Sequence, residues 1–97
     1  MVKKALFVRL EAKYGKEAEV EQFLDNGLGL VNEEPLTVDW YALKFSESSF
    51  GIFDTFEHDQ GVEAHLNGKV AEALMARADE LFAEPPKIER IEILAAK

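Results

Sequence analysis

Residues Thr37–Glu57 read TVDWYALKFSESSFGIFDTFE. Two runs rich in aromatic and branched side chains flank a polar turn at Ser46–Ser49 (SESS), which predicts a hairpin of strands Thr37–Phe45 and Phe50–Glu57. Successive side chains in a strand point to opposite faces. Here both faces are apolar: Val38, Trp40 and Ala42 oppose Tyr41, Leu43 and Phe45, while Phe50, Ile52 and Phe56 oppose Phe53. A hairpin of this kind needs cover front and back.

Upstream, Lys4–Ala12 (KALFVRLEA) predicts a strand with Leu6, Val8 and Leu10 on one side and Ala5 and Phe7 on the other, closed by a turn at Tyr14–Gly15. Lys16–Glu33 predicts a helix, with Val20, Leu24, Leu28 and Val31 at helical spacing, Phe23 alongside, and Glu17, Glu19, Glu21 and Asp25 facing water. Gly27 and Gly29 weaken it by about 1 kcal/mol each relative to alanine, which implies either close packing or fraying near its end. Pro35 stops it. Downstream, Gln60–Ala83 predicts helix in two pieces broken near Asn67–Gly68; read as one piece, Arg77 would fall in the apolar face. Pro85 and Pro86 end that region, and Lys87–Ala95 (KIERIEILA) predicts a final strand.

The order βαββαβ predicts an α+β, ferredoxin-like fold: one domain over residues 1–97, a four-stranded antiparallel sheet with two helices on one face. Two helices cover only one face of the sheet. The other would expose an apolar patch larger than soluble monomers carry, so a homodimer packed sheet to sheet with twofold symmetry is expected. Aromatic residues fraying at a sheet edge are the alternative.

Composition narrows the function classes. Of 97 residues, 47% are hydrophobic and 31% charged, which excludes a disordered chain. The net charge of −8 repels phosphate backbones. RNA-recognition domains share this element order and stack bases on strands one and three. Here Ser48 and Ser49 stand where that motif needs a basic residue and a glycine, Ile52 replaces its central aromatic, and Asp54 adds negative charge. No nucleic-acid partner is expected. The absence of cysteine removes disulfides, thiolate nucleophiles and cysteine-ligated metals. No signal peptide or membrane span is recognisable, so a cytoplasmic protein without a membrane partner is expected.

Glu34–Pro35, the aromatic strand Thr37–Phe45, FGIFDTF at Phe50–Phe56, Ala64–His65–Leu66 and the terminal IEILAAK occur in an order and spacing that resembles the antibiotic biosynthesis monooxygenase family over essentially the whole chain. Leu36 replaces the family's glycine after Glu-Pro, Asp54 stands where it often has glutamate, and Phe56 replaces its usual tryptophan. The resemblance implies a dimeric α/β barrel. It also implies activity as a cofactor-independent oxygenase of quinols or polycyclic aromatics, a haem-degrading enzyme, or an isomerase-like enzyme. The haem branch uses an Asn, a Trp and a His where this chain has Val8, His65 and Met75. Haem degradation is therefore not expected, and neither is any other cofactor.

Cofactor-free oxygenation needs a base, a donor for the developing oxyanion and a dry pocket. His65 is the candidate base. Read at a helix start beside strand three, it would be held in its neutral form. Trp40 and Tyr41 each offer a donor and an aromatic wall, and strand parity admits only one of them to the pocket. Arg9 could hold an anionic substrate group, with Phe53 or Phe56 completing the walls. Each has a structural reading as well: His65 and Trp40 as packed core residues, Arg9 as a partner of Glu11. His58, Asp59, Glu63 and His65 lack the tight spacing of a metal site, and no metal is expected. The sequence thus points to a monooxygenase of a small aromatic or quinol in a pocket between sheet and helices, or else to a non-catalytic ligand-binding or structural dimer.

Overall fold

A computed structural model describes residues 1–97. The elements run β1 (Lys4–Glu11), α1 (Glu17–Val31), β2 (Asp39–Lys44), β3 (Ser49–Phe56), α2 (Asp59–Leu66), α3 (Lys69–Ala76), α4 (Ala78–Leu81) and β4 (Lys87–Glu92). The strands form one antiparallel sheet in the order β2-β3-β1-β4. This is the expected ferredoxin-like arrangement.

The turn after β1 closes at Gly15, whose φ of 85° suits a residue without a side chain. On α1 the buried stripe is Val20, Leu24, Gly27 and Val31. Leu28, expected in that stripe, is exposed, and Gly27 takes its place because the Trp40 indole lies against it: a Cβ there would sit 3.4 Å from two ring carbons. Gly29 meets nothing within 4 Å. Close packing accounts for one glycine and not for the other.

The second helical region breaks at Asn67–Gly68, as expected, and again at Arg77, where α3 gives way to the short α4. The second break keeps Arg77 out of the apolar face. Its guanidinium lies outside, 3.0 Å from Glu80 Oε2 and 3.5 Å from Glu19 Oε2. The last strand ends at Glu92, three residues before the expected boundary, and Leu94 beyond it is almost fully exposed.

Register fixes the two faces. Leu6, Val8 and Leu10 of β1 pair with Asp54, Ile52 and Phe50 of β3, and Trp40 and Ala42 of β2 join the same face. The helices cover this side, where Val8, Leu10, Val20, Leu24, Phe50, Ile52, Leu74, Leu81 and Phe82 form the main core. Leu6, Phe56 and Val62 form a smaller cluster under α2. No helix lies over the opposite face, which carries Phe7, Arg9, Tyr41, Leu43 and Phe53. No helix is long and apolar enough to cross a membrane.

Candidate active site

Asp54 is the one carboxylate on the helix-covered side of β3, and it is 0% exposed. Its strand partners are Leu6 and Trp40, so only a helix residue can neutralise it. His65 is that residue. It stands in the last turn of α2, with Nε2 2.9 Å from Asp54 Oδ2, a charge contact bent away from hydrogen-bond alignment. Nδ1 lies 2.6 Å from Oε1 of Glu34. Glu34 lies in the loop after α1, which ends at Val31, four residues before Pro35, and the Thr37 hydroxyl donates to the same Oε1 at 2.7 Å. The Phe56 ring packs beside the imidazole, centroids 5.5 Å apart. Gly61 permits this approach of α2, since a Cβ there would come within 3.0 Å of the Leu36 carbonyl and 3.2 Å of Phe56.

The three side chains form a line, Asp54–His65–Glu34, running from the core outward. Burial opposes a charged imidazole, but the contacts with Asp54 and then Glu34 outweigh it and push the His65 pKa up to about 8. The expectation of a neutral histidine at a helix start is therefore corrected. His65 ends an eight-residue helix, where the dipole favours a cation, and both ring nitrogens face carboxyl groups.

A cavity of about 270 Å³ adjoins the line, walled by Leu30, Glu34, Pro35, Thr37, Ala64 and His65. It lies between the end of α1, the following loop, and α2. The pocket expected between sheet and helices is not at His65, because Leu6, Asp54 and Phe56 fill that space. A wider cleft of about 540 Å³ does run between α1 and β2, crossed by the Lys44–Glu21 ion pair at 2.7 Å, but His65 has no part in it.

The remaining candidates divide between the two faces. Phe56 touches His65, and Trp40 lies on the same side, half-buried. Arg9, Tyr41 and Phe53 are on the opposite face. Arg9 does not pair with Glu11; its guanidinium sits 4.7 Å from the Phe45 ring centre and 5.5 Å from that of Phe7. Glu34 and Asp54 were not singled out as site residues from the sequence. A lone acid within the apolar run FGIFDTF was the available signal for Asp54.

No protein-family model matches the chain, and no curated protein does. Among solved structures, the NE2512 protein of unknown function from Nitrosomonas europaea is 56% identical, with a TM-score of 0.98 over 100% of this chain and 94% of that one. The chain belongs to the family of that protein. A candidate antibiotic biosynthesis monooxygenase from Caulobacter crescentus shares the fold at a TM-score of 0.83 and 16% identity, covering 97% of this chain and 92% of its own. Another, from Nitrosomonas europaea, gives 0.84 at 15% identity, covering 95% and 90%. The chain therefore shares the fold of these two proteins, as its motif order implied.

Proposed function

We propose that the protein is a cofactor-independent monooxygenase of a small aromatic or quinol-type substrate bound in the cavity at His65. The observation that carries this reading is the buried Asp54–His65–Glu34 line abutting a half-open cavity. At about 270 Å³ the cavity is near the low end of ligand sites, which run from roughly 300 to 1,000 Å³, so one- or two-ring substrates suit it better than larger polycycles. The Glu34–His65 pair takes a proton from an activated ring carbon. The carbanion reduces and joins dioxygen to give a hydroperoxide, and loss of water leaves a carbonyl. A CH₂ and O₂ thus become C=O and H₂O, and no outside reductant is needed. Because His65 holds its proton up to about pH 8, the proton-accepting form grows above that pH.

Twofold assembly through the open sheet face belongs to the same reading. Tyr41 and Phe45 there are about half exposed, and Arg9, Phe7 and Phe53 surround them, so a second copy would bury all five.

Oxygen uptake with a panel of small quinols, from pH 6 to 9.5, tests the proposal. Uptake is expected to rise through about pH 8 and to fall at least about a hundredfold in His65→Ala. Turnover unchanged in that variant removes His65 as the base. Because both ring nitrogens already face carboxyl groups, a ligand-binding role without turnover is the second reading. Ligand binding with no oxygen uptake at any pH would favour it.

A further inference from the structure

Helices α2 and α3 are separated by Asn67 and Gly68, and Gly68 is the N-cap of α3. Nothing in its backbone calls for glycine: φ is −90° and ψ is −178°, extended values open to any residue. Capping argues against it. A serine, threonine, aspartate or asparagine there could bond one of the free N–H groups that begin α3, and Gly68 has no side chain to offer. What the position does require is room. A Cβ on Gly68 would sit 3.2 Å from Oε2 of Glu34 and 3.3 Å from the carbonyl oxygens of Ala64 and His65, all closer than the 3.4 Å at which ordinary contact begins.

We infer that Gly68 is a positioning residue of the site, whose missing side chain leaves the space in which the Glu34 carboxyl lies against His65. The two oxygens of Glu34 are held differently. Oε1 has the contacts, with His65 Nδ1 at 2.6 Å and the Thr37 hydroxyl at 2.7 Å. Oε2 is buried without a partner and rests against Gly68. No hydrogen bond fixes that oxygen, so the backbone behind it sets how far the carboxyl can turn.

A methyl group at position 68 would have little freedom to retreat. The Gly68 N–H donates to the His65 carbonyl at 3.0 Å, which ties this backbone to the end of α2. The flexible neighbour is the Glu34 side chain, so it is the one that moves. Its contact with Nδ1 is already shorter than the usual range of about 2.7–3.2 Å, so displacement can only lengthen or bend it. Asp54 from β3 and Glu34 from the loop after α1 are the charged groups that face His65. A weakened Glu34 contact leaves the ring to Asp54 and to burial, and the protonated form loses part of its support. The bearing of Gly68 on turnover rests on the monooxygenase reading; its seating of Glu34 does not, because the titration of His65 reports it directly.

The test follows the His65 ring protons by NMR against pH in the wild type, Gly68→Ala, Glu34→Ala and the double variant. Gly29→Ala, where a Cβ meets nothing within 4 Å, is the control. Gly68→Ala is expected to lower the His65 midpoint by at least about 0.3 pH unit, roughly a twofold loss of proton affinity. It should lower it no further once Glu34 is alanine, and Gly29→Ala should leave it unchanged. A midpoint unchanged in Gly68→Ala overturns the assignment. So does an equal fall in the Glu34→Ala background, which places the effect outside the carboxyl. Absence of oxygen uptake in the wild type removes the monooxygenase reading and leaves the seating of Glu34 to stand or fall on the titration. If Gly68→Ala does not fold, the wild-type spectrum decides: Overhauser contacts between the Gly68 α protons and the Glu34 γ protons support the seat, and their absence overturns it.

Discussion

Asp54 on β3 and His65 on α2 meet at 2.9 Å with both side chains shielded from water, so a charged pair joins sheet to helix inside the core. The folded-state pKa of His65, about 8, stands above its ordinary 6.5. The pair's contribution is therefore complete below about pH 6.5 and is lost as pH rises through about 8. That difference corresponds to about 2 kcal/mol. Thermal melts should show a midpoint falling by roughly 10 °C between pH 6 and 9. In Asp54→Asn the fall should largely disappear, with the variant already less stable at pH 6. A flat wild-type profile would remove the charged pair from the core.

Gly29 and Gly27 provide a control on helix α1. A Cβ at Gly29 meets open space, so Gly29→Ala should stabilise the protein by about 1 kcal/mol through helix propensity alone. At Gly27 the new methyl would touch Trp40 at 3.4 Å, and the gain should be smaller. Equal gains in urea titrations would mean that the indole does not rest on the helix.

Tyr41 and Phe45 make the open sheet face testable. Light scattering should return twice the chain mass, and a Tyr41→Asp, Phe45→Asp double variant should return the single chain with its circular dichroism retained. These side chains are about half exposed in the single chain, so their loss should cost the fold little. A wild-type protein that stays single at high concentration rules out the sheet-to-sheet assembly.

The fold was legible because it is written in periodicity. Alternation in FGIFDTF sets the two faces of β3, and Pro35, Pro85 and Pro86 keep helix out of the segments that follow α1 and α4, which end four residues earlier at Val31 and Leu81. The site was legible only in part. His65 is conspicuous by type, but its partners lie 31 and 11 positions away, on a loop and a strand, and are joined to it by register and helix phase. Its protonation was misread although the break at Asn67–Gly68 was legible: that break makes His65 the end of an eight-residue helix, where the dipole and two carboxyl partners favour the charged ring. Leu28 was misplaced because periodicity cannot show that Trp40 needs a glycine beside it.

Glu34 and Asp54 act on one imidazole, so their effects should not add. Asp54 is fully buried, and its contact raises the His65 pKa more than that of Glu34 does. Glu34→Gln should lower the His65 midpoint by less than Asp54→Asn does, because the amide oxygen still accepts from Thr37 and from the ring. With both changes, the His65 midpoint should fall below its ordinary 6.5, since burial then acts unopposed on the charged form. Following the His65 ring protons by NMR across pH in the two single variants and the double variant checks this. The stability cycle should give a coupling of at least about 0.5 kcal/mol at pH 6 that vanishes above pH 9. Strict additivity at pH 6 would mean that the two carboxyl groups do not share the ring.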